Sequence, residues 1–156
     1  MKSVEQLTTL ENTLATLTIE HKKILSELSV LEELIQGESN FQATVVPAFK
    51  NLKNFLLPDH HKREDSILYE WMLNQNTTVD HDIIDRIRDE HHKLEVLMEN
   101  INQQVEKISQ ASAAKDIRML GHDLIDFVEL YREHVELEEK FIFMIAKGLL
   151  SVRRRV

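Results

Sequence analysis

Residues 7–37 read LTTLENTLATLTIEHKKILSELSVLEELIQG. Leu7, Leu10, Leu14, Leu17, His21, Ile24, Leu28, Leu31 and Ile35 recur in this stretch at spacings of three and four. That period places them on one stripe of an amphipathic α-helix, and Gly37 is a natural stop. His21 is the only polar residue in the stripe.

The same period continues along the chain. A second segment, from about Thr44 to Leu73, carries Val45, Phe49, Leu52, Leu56, His60, Glu64, Ile67 and Trp71 as its seam. Pro47 suits a first turn, whereas Pro58 is expected to kink or break the helix just before DHHKRED. NQNTT, residues 74–78, reads as a loop. A third segment, from about Asp80 to Ile108, carries Ile84, Ile87, His91, Leu94, Met98, Ile101, Val105 and Ile108. SQASAA, residues 109–114, is the next loop, with Ser112 a candidate N-cap. A fourth segment, from about Lys115 to Leu150, carries Ile117, Leu120, Leu124, Phe127, Tyr131, His134, Glu138, Phe141, Ile145 and Gly148. Gly121 inside it costs about 1 kcal/mol of helix propensity relative to Ala. Four long helices and short loops predict an all-α, up-down-up-down antiparallel four-helix bundle. Residues 1–156 read as a single domain with its core at about 14–148.

Composition narrows the function. Three Gly and two Pro among 156 residues fit helix. The chain has no cysteine, which excludes disulfides, zinc ribbons, iron–sulfur ligation and thiol nucleophiles. A net charge of −8 argues against general nucleic-acid binding. No apolar leader or membrane-length run occurs, so no membrane partner and a cytoplasmic location are expected.

Six ionisable residues stand in seam positions: His21, His60, Glu64, His91, His134 and Glu138. Burying a polar group is costly unless it is paired, so six of them require a common explanation. Counted from the loops, their heights along the helices agree within one or two turns at about 1.5 Å per residue. All six can therefore meet in one layer. His60 with Glu64, and His134 with Glu138, are spaced i, i+4, which puts each pair on one face. Imidazoles with carboxylates suit iron, zinc or manganese. The set is too large for one tetrahedral ion and suits two metals, each carboxylate able to bridge.

The off-seam residues follow from the same register. In HHKRED, residues 60–65, His60 and Glu64 face inward, while Lys62, Arg63 and Asp65 fall on or near the solvated side. His61, one position off the seam, is a supporting group, an extra ligand or a solvated residue, with a non-ligand role preferred. His91 is preferred over His92, Glu95 is a candidate additional ligand one turn on, and His81 and His122 are surface residues. Tyr131 reads as a core aromatic with a polar tip, the alternative being a hydrogen-bond donor to a ligand or a bound diatomic. Trp71 reads as core.

With these residues placed, the chain resembles the hemerythrin-like HHE cation-binding family. The matching stretches are IEHKKI around His21, HHKREDSILYEWM around His60 and Glu64, DEHHKLEVL around His91, and YREHVELEEKFIF around His134 and Glu138. The resemblance implies a four-helix bundle around two iron ions joined by an oxo, hydroxo or water bridge. It implies His21, His60, His91 and His134 as terminal ligands, and Glu64 and Glu138 as bridging carboxylates. One open iron position would then take a small diatomic or peroxide ligand. Oxygen-carrying hemerythrins have a second histidine where this chain has Glu95, and an aspartate where it has Glu138. The chain looks more like the bacterial branch with four histidines and two glutamates, which directs the expectation away from reversible oxygen storage. Ferritin-like proteins use Glu-x-x-His, a motif missing from these seams. Zinc suits the same ligands and is an alternative in the isolated protein. Two other function classes stay open: an iron-holding or sensing module without catalysis, and a metal-independent helical interaction protein. The first dozen residues extend the first seam beyond the site, either capping the bundle or supporting a homodimer.

Overall fold

The computed structural model describes residues 3–37, 40–75, 81–108 and 112–155. Four helices account for these residues: α1 (Val4–Gln36), α2 (41–73), α3 (His81–Lys107) and α4 (114–155). The bundle is all-α, with no strand among the described residues. Each neighbouring pair runs antiparallel, as the partners show. Arg154 pairs with Glu11 and Arg132 with Glu32, joining α1 to α4 in opposite directions. Lys50 meets Glu106 and Arg88 meets Glu70, which does the same for α2 and α3. Glu90 meets His134 and Gln104 meets Asp123 between α3 and α4. No helix among the described residues is long and apolar enough to cross a membrane.

Local chemistry sets the helix ends. The Ser3 hydroxyl accepts from the Gln6 amide at 3.3 Å and opens α1. The Gly37 N–H donates to the Glu33 carbonyl at 3.0 Å and closes it. α2 begins at Phe41, earlier than the periodicity suggests, because the Asn40 side chain accepts from the Ala43 amide. Pro47 thus lies inside α2 rather than in its first turn. At α4 the N-cap position belongs to Ala113 rather than Ser112, and no side chain caps it. The expected loop residues 76–78 and 109–111, and Asp80 as the start of the third helix, lie outside the described residues.

Pro58 does not break α2. A π-helical turn, Leu52–Leu56, precedes it, and the Leu57 N–H donates to the Leu52 carbonyl. The looser i→i+5 pattern absorbs the proline, which has no N–H of its own to contribute. Two more π turns follow, Glu64–Tyr69 in α2 and Glu138–Ile142 in α4. Each inserts an extra residue into the helical repeat and moves the inward face forward by one. Beyond Glu64 the buried residues are therefore Leu68, Tyr69, Trp71 and Met72, while Ile67 is exposed. Beyond Glu138 they are Ile142, Phe143, Ala146 and Leu150; Phe141 is 49% exposed, Ile145 half-buried and Gly148 exposed. The expected seam slips locally at the first π turn, where Leu57 is buried and Leu56 half-buried, is back in register at His60 and Glu64, and shifts after each glutamate.

Two apolar clusters fill the bundle. One gathers Ile24, Leu28, Leu31, Val45, Phe49, Leu52, Leu94, Ile101, Leu124, Phe127 and their neighbours. The other gathers Leu7, Leu10, Leu14, Leu17, Leu68, Met72, Ile84, Ile87, Phe143 and Ala146. Full burial of each such side chain contributes roughly 1.5–3 kcal/mol. Where one cluster gives way to the other on each helix stand the buried polar residues: His21 on α1, His60, His61 and Glu64 on α2, His91 on α3, and His134 and Glu138 on α4.

Candidate metal centre

The structure brings all six seam residues into one layer. Every one is at most 3% exposed. Their side chains converge through Nε2 and the carboxylate oxygens. His21 Nε2 lies 3.4 Å from Glu64 Oε2 and 3.6 Å from Glu138 Oε1. His60 Nε2 and His91 Nε2 lie 3.2 and 3.3 Å from Glu64 Oε1. His134 Nε2 lies 2.9 Å from Glu138 Oε1. Donor atoms fall within 4.8 Å of one another in three buried triples: His21, His60 and Glu64; His61, Glu64 and His91; and His91, His134 and Glu138.

The outer nitrogen of each ring is engaged differently. Nδ1 of His21 meets Glu139 at 2.8 Å, that of His60 meets Glu20 at 3.0 Å, that of His91 meets Asp65 at 3.3 Å, and that of His134 meets Glu90 at 3.0 Å. A neutral imidazole that donates Nδ1–H to a carboxylate leaves its Nε2 lone pair free to bind metal. All four Nε2 atoms and both oxygens of Glu64 are buried without a hydrogen-bond partner. Their mutual contacts are close but lack hydrogen-bond geometry. Leaving so many buried polar atoms unsatisfied would be costly, and cations between them remove the cost.

Electrostatics points the same way. Burial alone would lower the His21 pKa, but the adjoining Glu138 and Glu64 carboxylates outweigh it and raise the pKa to about 10. For His91, burial is outweighed by Asp65 and Glu64, again raising the pKa to about 10. His134 is raised against its burial by Glu138. Burial would push Glu138 up, yet contact with Glu64, His134 and His21 holds it well below the usual carboxylate range. The layer attracts positive charge, whether as protons or as metal.

His61 is buried beside the six. Its Nε2 lies 2.8 Å from the Tyr131 hydroxyl, and its ring stacks on His91 at 4.5 Å. Burial, then the neighbouring His91 and His60, lowers its pKa well below the ordinary histidine value, so it is neutral. Tyr131 is core, as its seam position implied, and its hydroxyl is engaged by His61 rather than by one of the six. His92, Glu95, His81 and His122 are exposed, so Glu95 is not an additional ligand: it lies on the solvent side of α3.

The sequence pattern shows neither the four Nδ1 carboxylates nor Tyr69, which is fully buried and whose hydroxyl donates to Glu138 Oε2. The π turn places it there, at i+5 from Glu64, where a regular α repeat would have turned it away. The sequence profile of the hemerythrin HHE cation-binding domain matches residues 12–146. The chain belongs to the hemerythrin HHE cation-binding family. Neither a curated protein nor a solved structure matches the chain. Membership in a cation-binding family implies a metal-binding site, and the buried His/Glu clusters of this layer could hold a metal ion. A cavity of about 460 Å³ between α3 and α4 reaches its edge, lined by Leu94, Leu130, Leu137 and His134, with Arg86 and Lys93 among its rim residues. A larger groove between α1 and the end of α4, near Glu11 and Arg154, does not touch the layer.

Proposed function

We propose that the layer holds two iron ions and that the protein binds or reduces a small oxidant such as dioxygen, peroxide or nitric oxide. The observation that carries this reading is the convergence of four partnerless Nε2 atoms on two buried glutamates. Their chemistry fits iron: imidazole and carboxylate together suit a borderline cation, and six donors exceed what one tetrahedral ion uses. His21, His60 and Glu64 would hold one ion, and His91, His134 and Glu138 the other, with the two carboxylates able to reach both. Iron, when bound, supplies the redox chemistry.

The chain's own residues orient, exclude water and hold protons. The apolar clusters on either side keep bulk water from the layer. Tyr69 keeps its proton, because burial and then the Glu138 and Glu64 charges raise its pKa well above the ordinary value, and its hydroxyl donates a hydrogen bond to Glu138. Tyr131 is raised in the same way by burial and by Glu64 and Glu138. It and neutral His61 form a second hydrogen-bonding pair against His91. A small molecule would approach through the α3–α4 cavity, where Leu94, Leu130 and Leu137 alternate with Arg86, Glu90, Lys93 and Glu133 and His134 forms part of the lining.

An anaerobic ferrous titration followed by exposure to air tests this reading. Uptake of two irons per chain, then near-ultraviolet and visible bands of a bridged ferric pair, is the expected result. Return of the ferrous spectrum on deoxygenation would mark binding, and persistent ferric bands would mark reduction of the oxidant. One iron per chain, or no saturable uptake, refutes the paired site. A zinc-loaded sample should match the stoichiometry without visible bands.

A further inference from the structure

The carboxylates outside the six form a closed order that rests on the proposed metal pair but is a separate observation. Glu20 on α1 serves His60 on α2, and Asp65 on α2 serves His91 on α3. Glu90 on α3 serves His134 on α4, and Glu139 on α4 serves His21 on α1. Each helix supplies the acceptor for the next helix's histidine, and the last supplies the first. We propose that Glu20, Asp65, Glu90 and Glu139 are positioning residues of the metal pair, each fixing the imidazole of the following helix.

Three features support this ring. Each carboxylate is the chain neighbour of one of the six: Glu20 of His21, Asp65 of Glu64, Glu90 of His91 and Glu139 of Glu138. Adjacent helical residues point about 100° apart, so when one faces the bundle axis the other flanks it and meets the next helix. A helix that seats its own ligand thereby seats the acceptor for its neighbour's. Secondly, the four side chains are 19–38% exposed, so each carboxylate keeps contact with water while its partner ring stays buried. Thirdly, arginines anchor three of them: Arg63 lies 2.7 Å from Glu20, Arg86 lies 3.6 Å from Glu90, and Arg88 lies 3.8 Å from Asp65. A carboxylate on Nδ1 fixes ring orientation and tautomer and raises the basicity of Nε2, and loss of such a partner typically costs 10- to 100-fold in metal affinity.

The test uses the full chain, stripped of metal and titrated anaerobically with ferrous iron and separately with zinc. Glu139→Ala and Glu90→Ala should each bind about 10- to 100-fold more weakly than the unsubstituted protein. Glu139→Gln and Glu90→Gln should recover part of that loss, because an amide oxygen still accepts from Nδ1–H. They also carry the test if an alanine variant does not fold. Glu136→Ala, on the exposed side of α4, should change nothing. In nitrogen-15 spectra of the zinc-loaded protein, Glu139→Gln should move the His21 ring signals and leave those of His134 in place. Glu90→Gln should move His134 and leave His91. Unchanged affinity in the alanine variants, or ring shifts on the substituted helix's own histidine, overturns the proposal. So does an equal fall in melting temperature with and without metal, which is what a purely structural role predicts. Lack of uptake by the unsubstituted protein would instead refute the metal reading itself.

Discussion

Loading the centre should expel protons, and the structure sets how many. His21 and His91 have pKa values raised to about 10 by the carboxylates around them. At pH 7.5, about 2.5 units lower, both rings are protonated in the metal-free protein. A bound ion needs the Nε2 lone pair, so each ring must give up a proton. At 1.36 kcal/mol per unit, that displacement costs about 3 kcal/mol for each ring. At least two protons per chain should therefore leave, and the overall constant for two ions should rise roughly 100-fold per pH unit between about pH 6.5 and 8.5. Zinc is the redox-silent probe, and calorimetry in two buffers of different ionisation heat counts the protons. The metal-free protein has the opposite trend. A histidine whose folded pKa is raised contributes stability that is fully present below its unfolded value near 6.5 and is lost as pH climbs through about 10. Alkali should then destabilise the stripped bundle, over the range in which it strengthens metal binding. Release of less than one proton, or an affinity flat across that range, refutes the reasoning that protons and metal compete for these nitrogens.

Other perturbations isolate other parts. Glu64→Ala should abolish uptake of at least one ion, measured as metal per chain after desalting; full occupancy would remove Glu64 from the ligands. Tyr69→Phe deletes one donor to a buried charged carboxylate, an interaction of about 1.5–3 kcal/mol; metal affinity should fall about tenfold or more with stoichiometry unchanged, and equal affinity would make the contact incidental. Gly121→Ala places a methyl 3.7 Å from Ile35 Cγ2 and 3.8 Å from Phe41 Cε2, ordinary contacts; the recovered helix propensity should raise stability by about 0.5–1 kcal/mol in urea unfolding, and a fall would mean the methyl does not fit. Leu130→Trp should fill the α3–α4 cavity and slow nitric oxide association with the ferrous protein at least tenfold in stopped flow, leaving iron content intact; an unchanged rate would move the approach elsewhere.

The bundle and the inner face of the site were legible because burial follows a 3.6-residue period over long stretches. His21 between Leu17 and Ile24, and His91 between Ile87 and Leu94, are polar interruptions in otherwise apolar stripes, and such interruptions show in the sequence. What was not legible depends on departures from that period. The π turns at Glu64 and Glu138 shift the face by one, which hid Tyr69 and Phe143 and promoted Ile67 and Phe141. No residue in EDSILY or EEKFI announces a π turn on its own. The carboxylates on Nδ1 were hidden for another reason. Glu20, Asp65, Glu90 and Glu139 lie beside the seam in charged stretches, where their partners are on another helix and their register reads as solvated. His61 needed the Tyr131 contact to settle its place, since one position off the seam is compatible with burial or exposure.

Once the outer carboxylates are included, the site repeats itself. Glu20–His21 on α1 matches Glu90–His91 on α3, each an acid followed by an inward histidine. His60 with Glu64–Asp65 on α2 matches His134 with Glu138–Glu139 on α4, each a histidine, a glutamate at i+4 and a second acid. Both glutamates open a π turn. The hairpin α1–α2 and the hairpin α3–α4 therefore carry the same chemical set, and the ring of Nδ1 contacts runs from each to the other through Asp65 and Glu139. Neither hairpin can orient all of its own imidazoles, because His91 takes its acceptor from α2 and His21 takes its acceptor from α4. Two half-sites of this kind gain their full geometry only when the hairpins dock. The departures from the repeat then mark where the halves differ. His61 has Val135 as its counterpart after the α4 histidine, and Tyr69 has Phe143. Tyr131, three residues before His134, has Leu57 as its counterpart before His60, so each hairpin adds a hydrogen-bonding group that the other replaces with an apolar one, and the Tyr131–His61 contact joins α4 to α2 across the site.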